Sequence, residues 1–154
     1  MKIIELNYQE NKELTLEGLE KYFNNKLSQA EQDAFSDTTE EDPMMRPTGT
    51  YSFALKKEEE IIGRIFGELD YFNSCVRING LIIEQDARGT GAGSILMKTV
   101  EELGRREGCH VSFVNTTLSS APKFYEKQGY KCIEMISDYP VISDTYYYFY
   151  KKLF

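Results

Sequence analysis

The sequence predicts an α/β (α+β) fold that forms a single domain over residues 1–154. The main observation is a unit of strand, loop and helix: residues 75–83 end in an apolar run, a glycine-rich loop follows, and residues 94–107 carry apolar side chains at helical spacing. In addition, several short apolar or aromatic segments typical of strands lie before and after this unit. The chain is long enough for one hydrophobic core.

The composition is typical of a globular protein and argues against several other classes. Hydrophobic residues make up 41% of the chain, and no apolar run approaches about 18 residues, the length that spans a membrane. The net charge of −7 argues against a nucleic-acid partner. The three cysteines form no C-x-x-C pair and the N-terminus lacks a signal-peptide pattern, so we expect a cytoplasmic protein with reduced thiols.

The negative charge is unevenly distributed along the chain. The first 60 residues hold 14 acidic and 7 basic residues, whereas the remainder holds 11 of each. Two interpretations stay open. The excess charge is either a solvated surface that aids solubility or an acidic rim that attracts a cationic amine.

The first part of the chain predicts a strand, two helices and a loop. Residues 2–7 are typical of a strand, and residues 15–28 carry a helical apolar stripe. Ser28-x-x-Glu31 matches a capping box and predicts a second short helix to about residue 35. Residues 37–50 lack periodicity and contain two prolines, which predicts a loop.

The next segments predict consecutive strands. Residues 51–55 and 61–72 form an expected hairpin that turns at residues 56–60. Gly63 and Gly67 indicate a bulge or a close backbone approach in its second strand, and Asn79-Gly80 indicates another bulge within residues 75–83.

The C-terminal part predicts three further strands and one helix. Residues 110–115 should pair in parallel with residues 75–83, because a long helix crosses between them. Gly108 and Gly129 are expected to end the two helices in left-handed conformations. Residues 130–135 and the aromatic residues 145–152 predict the last strands, and the aromatic strand could pair across a homodimer.

The loop Arg88-Gly89-Thr90-Gly91-Ala92-Gly93 is suited to an anion. The first N–H groups of a helix lack intrahelical partners, and a loop with few side chains lets a phosphate approach them. A tight turn that needs glycine only for its backbone is the alternative. The spacing excludes the dinucleotide fingerprint, because Ser94 stands where a third glycine would be needed, and it also excludes a Walker P-loop.

Two motifs in this order resemble the GNAT superfamily of N-acetyltransferases. Arg88-x-x-Gly91-x-Gly93, between a strand and a helix, resembles its acyl-CoA-binding motif, and residues 121–130 (APKFYEKQGY) resemble its second conserved segment. The resemblance covers residues 50–154 well and the N-terminal third in outline. It implies a mixed, mostly antiparallel sheet of six or seven strands, splayed at its centre and flanked by about four helices. It also implies acetyl-CoA as the cosubstrate and no metal.

The resemblance also implies which residues contact acetyl-CoA. In the family, the strand before the glycine loop pairs with the pantetheine arm, and Ile83 N–H would polarise the thioester carbonyl like an oxyanion donor. The loop donates backbone N–H groups to the pyrophosphate, and Arg88 either adds charge or closes the turn. Lys123 and Lys127 could reach CoA phosphates. The predicted contact residues are Leu81, Ile82, Ile83, Arg88, Gly89, Thr90, Gly91, Ala92, Gly93, Ser94, Asn115, Phe124 and Lys127.

For catalysis, the resemblance points to Tyr125 and, as a tentative base, to Glu84. A phenol with a pKa near 10 is protonated at neutral pH and can donate to the departing thiolate. Glu84, which follows the cofactor strand, could deprotonate the amine; Glu68, Asp70 and Tyr71 are rivals, and ordered water could replace a dedicated base.

The sequence departs from the family pattern at Leu118, which stands where many members carry an Asn that contacts the CoA arm.

The sequence therefore predicts an enzyme that transfers an acetyl group from acetyl-CoA to a primary amine by direct attack in a ternary complex. The expected acceptor is an amine of a small molecule, with a cationic one as one candidate, or an amine of a protein or peptide. The alternative is an acyl-CoA-binding sensor or interaction module without catalysis, since a fold does not determine a function.

Overall fold

A single sheet organises the computed structural model, which describes residues 1–23, 48–71, 73–117 and 121–154. In chain order the elements are β1 (Lys2–Glu5), α1 (Tyr8–Phe23), β2 (Thr48–Lys57), β3 (Glu60–Asp70), β4 (Cys75–Ile83), α2 (Ala92–Arg106), β5 (Val111–Thr116), α3 (Ala121–Lys127), β6 (Lys131–Ser137) and β7 (Thr145–Lys152). A 3-10 turn over Gln85–Ala87 joins β4 to the glycine loop.

Within the described residues, seven strands lie in the order β1-β2-β3-β4-β5-β7-β6. Among these described strands, β4 and β5 pair in parallel, and every other neighbouring pair is antiparallel. The predicted mixed and mostly antiparallel sheet is therefore confirmed. The short helix expected at residues 28–35 and the departure at Leu118 lie outside the described residues.

Helix α1 begins earlier than the apolar stripe indicated, at Tyr8 rather than near residue 15. Asn7 and Glu10 form a reciprocal capping box: Asn7 Oδ1 accepts from Glu10 N–H at 2.9 Å, and Glu10 Oε2 accepts from Asn7 N–H at 2.9 Å. This cap satisfies two backbone donors and sets the start of the helix. The Asn-x-x-Glu spacing was present in the sequence and was missed.

Two further expectations about the strands were wrong. β2 begins at Thr48, within the segment predicted as a loop, because residues 48–50 pair with the end of β3. The aromatic strand β7 lies between β5 and β6, so both of its edges are already hydrogen-bonded within the chain. It therefore has no free edge for strand pairing across a dimer, and β1 and β6 are the edge strands.

The two faces of the sheet carry different helices. Gly63 and Ile65 point toward α2: an added Cβ at Gly63 would lie 3.1 Å from Leu96 of α2, and Ile65 belongs to the core cluster. Arg64 lies between them and points to the opposite face, where its guanidinium donates to Thr15 Oγ1 at 3.3 Å and to the Leu14 carbonyl at 2.9 Å. We call these faces the α2 face and the α1 face.

The hydrophobic core lies on the α2 face. Leu96, Met97 and Val100 of α2 are completely buried against strand residues such as Val76 and Phe149. Cys109 is buried in this core, whereas the neighbouring His110 is exposed. No helix in the described ranges is long and apolar enough to cross a membrane.

Candidate active site

Strand β4 pairs with β5 along only part of its length. Four residues, Cys75 to Ile78, form the parallel ladder with β5. The last two residues of β5 continue to pair with β7, and none of the described residues of β5 pairs with β4 beyond Ile78. The two strands therefore separate, and the predicted splay at the centre of the sheet is observed.

The gap between the strands is lined by backbone groups of Leu81 and Ile83. Glu84 N–H donates to the Ile62 carbonyl on β3 at 3.0 Å. Because successive residues direct their backbone groups to alternate sides of a strand, those of Ile82 also face β3, and those of Leu81 and Ile83 face the gap. Two of the three predicted strand residues therefore reach the gap, whereas Ile82 does not.

A bulge at Asn79 precedes this free segment. The β3–β4 register shifts there, since Gly67 lies opposite Ile78 while Phe66 lies opposite Gly80. The bulge that Asn79-Gly80 indicated is thus confirmed. Gly67 is required at this point, because an added Cβ would overlap the carbonyl oxygen of Arg77.

The glycine loop carries two residues in the left-handed region. Gly89 and Gly91 have φ values of 76° and 90°, and an added Cβ at either one would meet nothing within 4 Å. Gly91 is the N-cap of α2 and provides no side-chain hydrogen bond, and the first turn of the helix holds no acidic residue. Ile95 N–H donates to the Gly91 carbonyl at 3.1 Å, which is the first hydrogen bond of the helix. The N–H groups of the residues before Ile95 therefore have no partner within the helix. The loop therefore presents unshielded donors and a positive helix end.

Gly93 has a different role from the other two glycines. An added Cβ there would lie 3.0 Å from Phe124 Cζ on α3 and 3.8 Å from Ile83 Cγ1 on β4. Glycine thus lets the start of α2, the start of α3 and the end of β4 converge beside the gap. Phe124, predicted as a contact residue, forms the wall of this junction.

Tyr125 lies in the aromatic core next to Phe124. Its ring centroid is 5.6 Å from that of Phe149 on β7 and 5.2 Å from that of Phe124, and only 6% of the residue is exposed. This burial raises the pKa of Tyr125 to about 12, because the phenolate would lose its hydration. The hydroxyl is therefore protonated at neutral pH.

Polar contacts that sequence reasoning missed hold α3 against α2 and β7. Gln128 Nε2 donates to Ser94 Oγ at 2.9 Å. Lys151 Nζ donates to the Gln128 carbonyl at 2.8 Å and to Glu101 Oε2 at 2.8 Å. Glu101 is 4% exposed. An acidic residue within the apolar stripe of a helix indicates a buried carboxylate that needs a cationic partner, and this signal was present in the sequence. Ser94, predicted to contact the cofactor, here accepts a hydrogen bond at the first turn of α2.

Arg88 and Thr90 participate in closing the loop. Arg88 Nε donates to the Ile83 carbonyl, one of the gap-facing groups, at 3.3 Å. Thr90 Oγ1 donates to the Ala87 carbonyl at 2.7 Å. Of the two roles considered for Arg88, the structure therefore contains the turn-closing contact.

Glu84 is exposed and borders a cavity of about 620 Å³ on the α1 face. Arg64, 5% exposed, also lines this cavity, and its pKa is lowered by burial, while the charges of Glu84 and Glu17 oppose that lowering. The Glu84 carboxylate thus partly balances a buried cation. Its predicted role as a base stays a prediction.

Asp70, an alternative candidate for the base, is held by contacts at the β3–β4 turn. It is 2% exposed, accepts hydrogen bonds from Asn73 N–H at 2.9 Å and Asn73 Nδ2 at 2.7 Å, and lies 3.7 Å from the Arg77 guanidinium. This geometry is that of a structural carboxylate.

Of the remaining predicted contact residues, Ala92 is buried at the start of α2, and the others are exposed. Lys123 and Lys127 lie on α3. Asn115 precedes the last residue of β5, and its side chain points to the α1 face, because the adjacent Val114 is buried in the core on the α2 face. Its side chain therefore lies on the face opposite α2 and α3.

Comparison with known proteins identifies this arrangement. A family model described as the acetyltransferase (GNAT) family matches residues 14–130. The chain belongs to the GNAT acetyltransferase family. As a member, this GNAT protein is an acetyl-CoA-dependent N-acetyltransferase, and the fold and family that the two motifs predicted are confirmed.

Relatives of this GNAT enzyme include an acetyltransferase with a named substrate. Blasticidin-S acetyltransferase from Streptomyces morookaense is 34% identical over 97 residues, which are 62% of this chain and 70% of the relative. An aminoglycoside 6'-N-acetyltransferase in complex with coenzyme A has a TM-score of 0.76 at 16% identity, with 100% of this chain and 98% of that chain covered. The ribosomal-protein-S18-alanine N-acetyltransferase of Escherichia coli has a TM-score of 0.75 at 13% identity, with 99% and 93% covered. The two structures show a shared fold.

Proposed function

We propose that this enzyme acetylates a primary amine of a small cationic molecule and that the gap between β4 and β5 is its acetyl-CoA site. The observation that supports the site most strongly is the free edge of β4, which begins at the bulge and ends at the glycine loop. Backbone polar groups away from water need partners, and a ligand with amide groups can supply them.

The residues at the gap fit an acyl-CoA. Leu81 and Ile83 would pair with the pantetheine amides, and the gap-facing N–H of Ile83 would polarise the thioester carbonyl. The N–H groups of Gly89 and of Gly91 to Ser94 would hold the pyrophosphate at the start of α2, whereas Thr90 N–H donates to the Ala87 carbonyl. Acetyl-CoA supplies an activated acetyl group as its thioester.

Tyr125 is our proposed proton donor. The amine nitrogen attacks the carbonyl carbon and gives one proton to a general base, the carbon–sulfur bond breaks, and the sulfur takes a proton from the Tyr125 hydroxyl. The proton on the base then returns through solvent to the Tyr125 oxygen, so the products are the amide and the free thiol. A pKa of about 12 keeps that proton in place until negative charge develops on sulfur. The same dry surroundings disfavour a free thiolate, which promotes the transfer.

The acceptor would approach from the α1 face. On the α2 face, Phe124 and Gly93 close the end of β4, because an added Cβ at Gly93 would already lie 3.0 Å from the Phe124 ring. The α1 face carries the exposed side chain of Asn115 beside the gap. The base is Glu84, one of its rivals Glu68 and Tyr71, or ordered water.

Acetyl transfer can be measured by thiol release from acetyl-CoA with blasticidin S and an aminoglycoside as test acceptors. We expect turnover with a cationic amine, and at least a tenfold loss of kcat in Tyr125→Phe with acetyl-CoA binding retained, because the ring packing persists and only the proton donor is removed. Calorimetry with acetyl-CoA provides the binding measurement.

Tyr147→Phe is the matched control, since Tyr147 also packs against Phe149, with ring centroids 6.3 Å apart. Equal turnover in the native enzyme and Tyr125→Phe would remove Tyr125 from the mechanism. A failure of the native protein to bind acetyl-CoA would disprove the assigned site.

A further inference from the structure

A row of three polar side chains leads away from the gap on the α1 face. Asn115 on β5 lies directly opposite Tyr148 on β7, and Tyr148 lies opposite Glu134 on β6, where regular pairing resumes after a register shift that follows Cys132. Residues opposite each other in a ladder point to the same face, so an amide, a phenol and a carboxylate follow one line across three strands. We call these three residues the polar row.

The polar row is accessible to a ligand. Asn115 and Glu134 are exposed, and Tyr148 is 38% exposed. The Tyr148 ring is fixed by an edge-on contact with Tyr146, at 5.0 Å between centroids, and Tyr146 is held in the same way by Tyr139 at 5.2 Å. A preorganised aromatic surface loses little entropy when it binds a ligand.

The chemistry of the row changes with distance from the gap. Asn115, nearest the gap, provides a neutral acceptor for an amine hydrogen. The face of the Tyr148 ring can contact a cation or an alkyl chain. Glu134, farthest from the gap, provides a negative charge. Neighbouring strands are about 4.8 Å apart, which places the Glu134 backbone roughly 10 Å beyond β5.

We propose that the polar row recognises a second positive charge on the acceptor, so that the preferred substrates are elongated diamines or polyamine-like cations. This inference rests on the proposed approach of the acceptor from the α1 face. One amino group enters the gap at Asn115, the chain between the charges crosses Tyr148, and the distal cation pairs with Glu134. The net charge of −7 supports the attraction of such a cation.

The test compares octamethylenediamine with octylamine, which has the same alkyl chain but lacks the second amine. We expect a higher kcat/KM for the diamine, by about fivefold, the upper range for one exposed ion pair. In Glu134→Gln the ratio of the two kcat/KM values should fall toward about two, the statistical factor for the two equivalent amines of the diamine. In the native enzyme, added salt should lower the same ratio, because an exposed pair is screened.

Glu102→Gln is the matched control, because it removes an equal charge from an exposed position on α2, on the other face of the sheet. The inference is overturned if the diamine has no advantage, if Glu134→Gln keeps that advantage, or if Glu102→Gln removes it equally. Absence of acetylation of both amines also overturns it. Acetyl-CoA binding in the same sample then shows whether the proposed cofactor site stands on its own.

Discussion

The two edges of β4 differ in how completely they are paired. Toward β3 the ladder runs from Cys75 to Ile83 and is interrupted only by the bulge at Asn79. Toward β5 it ends after Ile78. The same strand therefore builds the interior of the sheet on one edge, and beyond Ile78 its other edge has no strand partner among the described residues.

A free strand edge of this kind is suited to bind a ligand through backbone groups, without dedicated polar side chains. Unpaired N–H and C=O groups are costly inside a protein unless something satisfies them. At the free edge, Arg88 donates to the Ile83 carbonyl in the absence of another partner. We expect substitutions at the paired edge to affect stability and substitutions at the free edge to affect ligand binding.

The largest effect should come from Gly67→Ala on the paired edge. The added Cβ would overlap the Arg77 carbonyl oxygen and lie 2.6 Å from the Tyr51 hydroxyl, which itself donates to that carbonyl at 2.8 Å. We expect a loss of about 3 kcal/mol or more in the free energy of unfolding, measured by urea denaturation. Gly18→Ala in α1 is the control, since its nearest atom is the Arg64 side chain at 3.4 Å. A stable Gly67→Ala protein would contradict the close approach.

Lys151→Met should weaken the support of α3 beside the free edge. It removes the cation closest to the Glu101 carboxylate, whose side chain is 5% exposed, and leaves the more distant Arg105 guanidinium at 3.7 Å. Breaking a buried pair costs about 3 kcal/mol. We also expect kcat to fall several-fold with little change in the KM for acetyl-CoA, because Lys151 holds the end of the helix that carries Tyr125.

The control for this effect is the double variant Glu101→Gln with Lys151→Met. It removes the uncompensated charge and should recover part of the stability, so that the two substitutions are not additive. Additive losses would mean that the two side chains do not interact in solution.

A smaller effect is expected at alkaline pH. The pKa of Tyr125 is about 12 in the folded protein and near 10 when unfolded, so the unfolded state loses its proton first as pH rises. The contribution of Tyr125 to stability is therefore complete below pH 10 and is lost as pH rises toward 12, by roughly 2.5 kcal/mol. Urea denaturation at several pH values should show a shallower alkaline decline for Tyr125→Phe. An identical decline would place the hydroxyl in water.

The smallest expected effect is that of Gly93→Val on the free edge. Its side chain would enter the space beside Phe124 and Ile83, where the wall of the gap is formed. We expect acetyl-CoA to bind about tenfold more weakly, equivalent to about 1.4 kcal/mol, measured by calorimetry. Lys98→Val, at an exposed position of the same helix, controls for the helix propensity of valine. Equal weakening in both variants would assign the effect to the helix rather than to the gap.

Local patterns predicted most of the elements, and the failures have identifiable physical causes. The apolar run before Glu84, the helical stripe after Ser94 and the helix ends at Gly108 and Gly129 were predicted from the sequence, and both glycines have positive φ. The start of α1 was misplaced because the apolar stripe was used in place of the Asn7–Glu10 cap. The position of β7 between β5 and β6 was not predictable from an aromatic pattern, which records burial and not neighbours.

By itself, the sequence determined the strand, the glycine loop and the helix of the cofactor motif, together with Tyr125 in its second motif. These depend on residues close together in the chain, where φ preferences and periodicity act directly. Tertiary structure alone decided that Ile83, Gly93 and Phe124 meet beside the gap, that Lys151 reaches Glu101, and that Asn115, Tyr148 and Glu134 share one face. Such contacts depend on strand order and register between distant segments, which are set by the packing of the whole sheet.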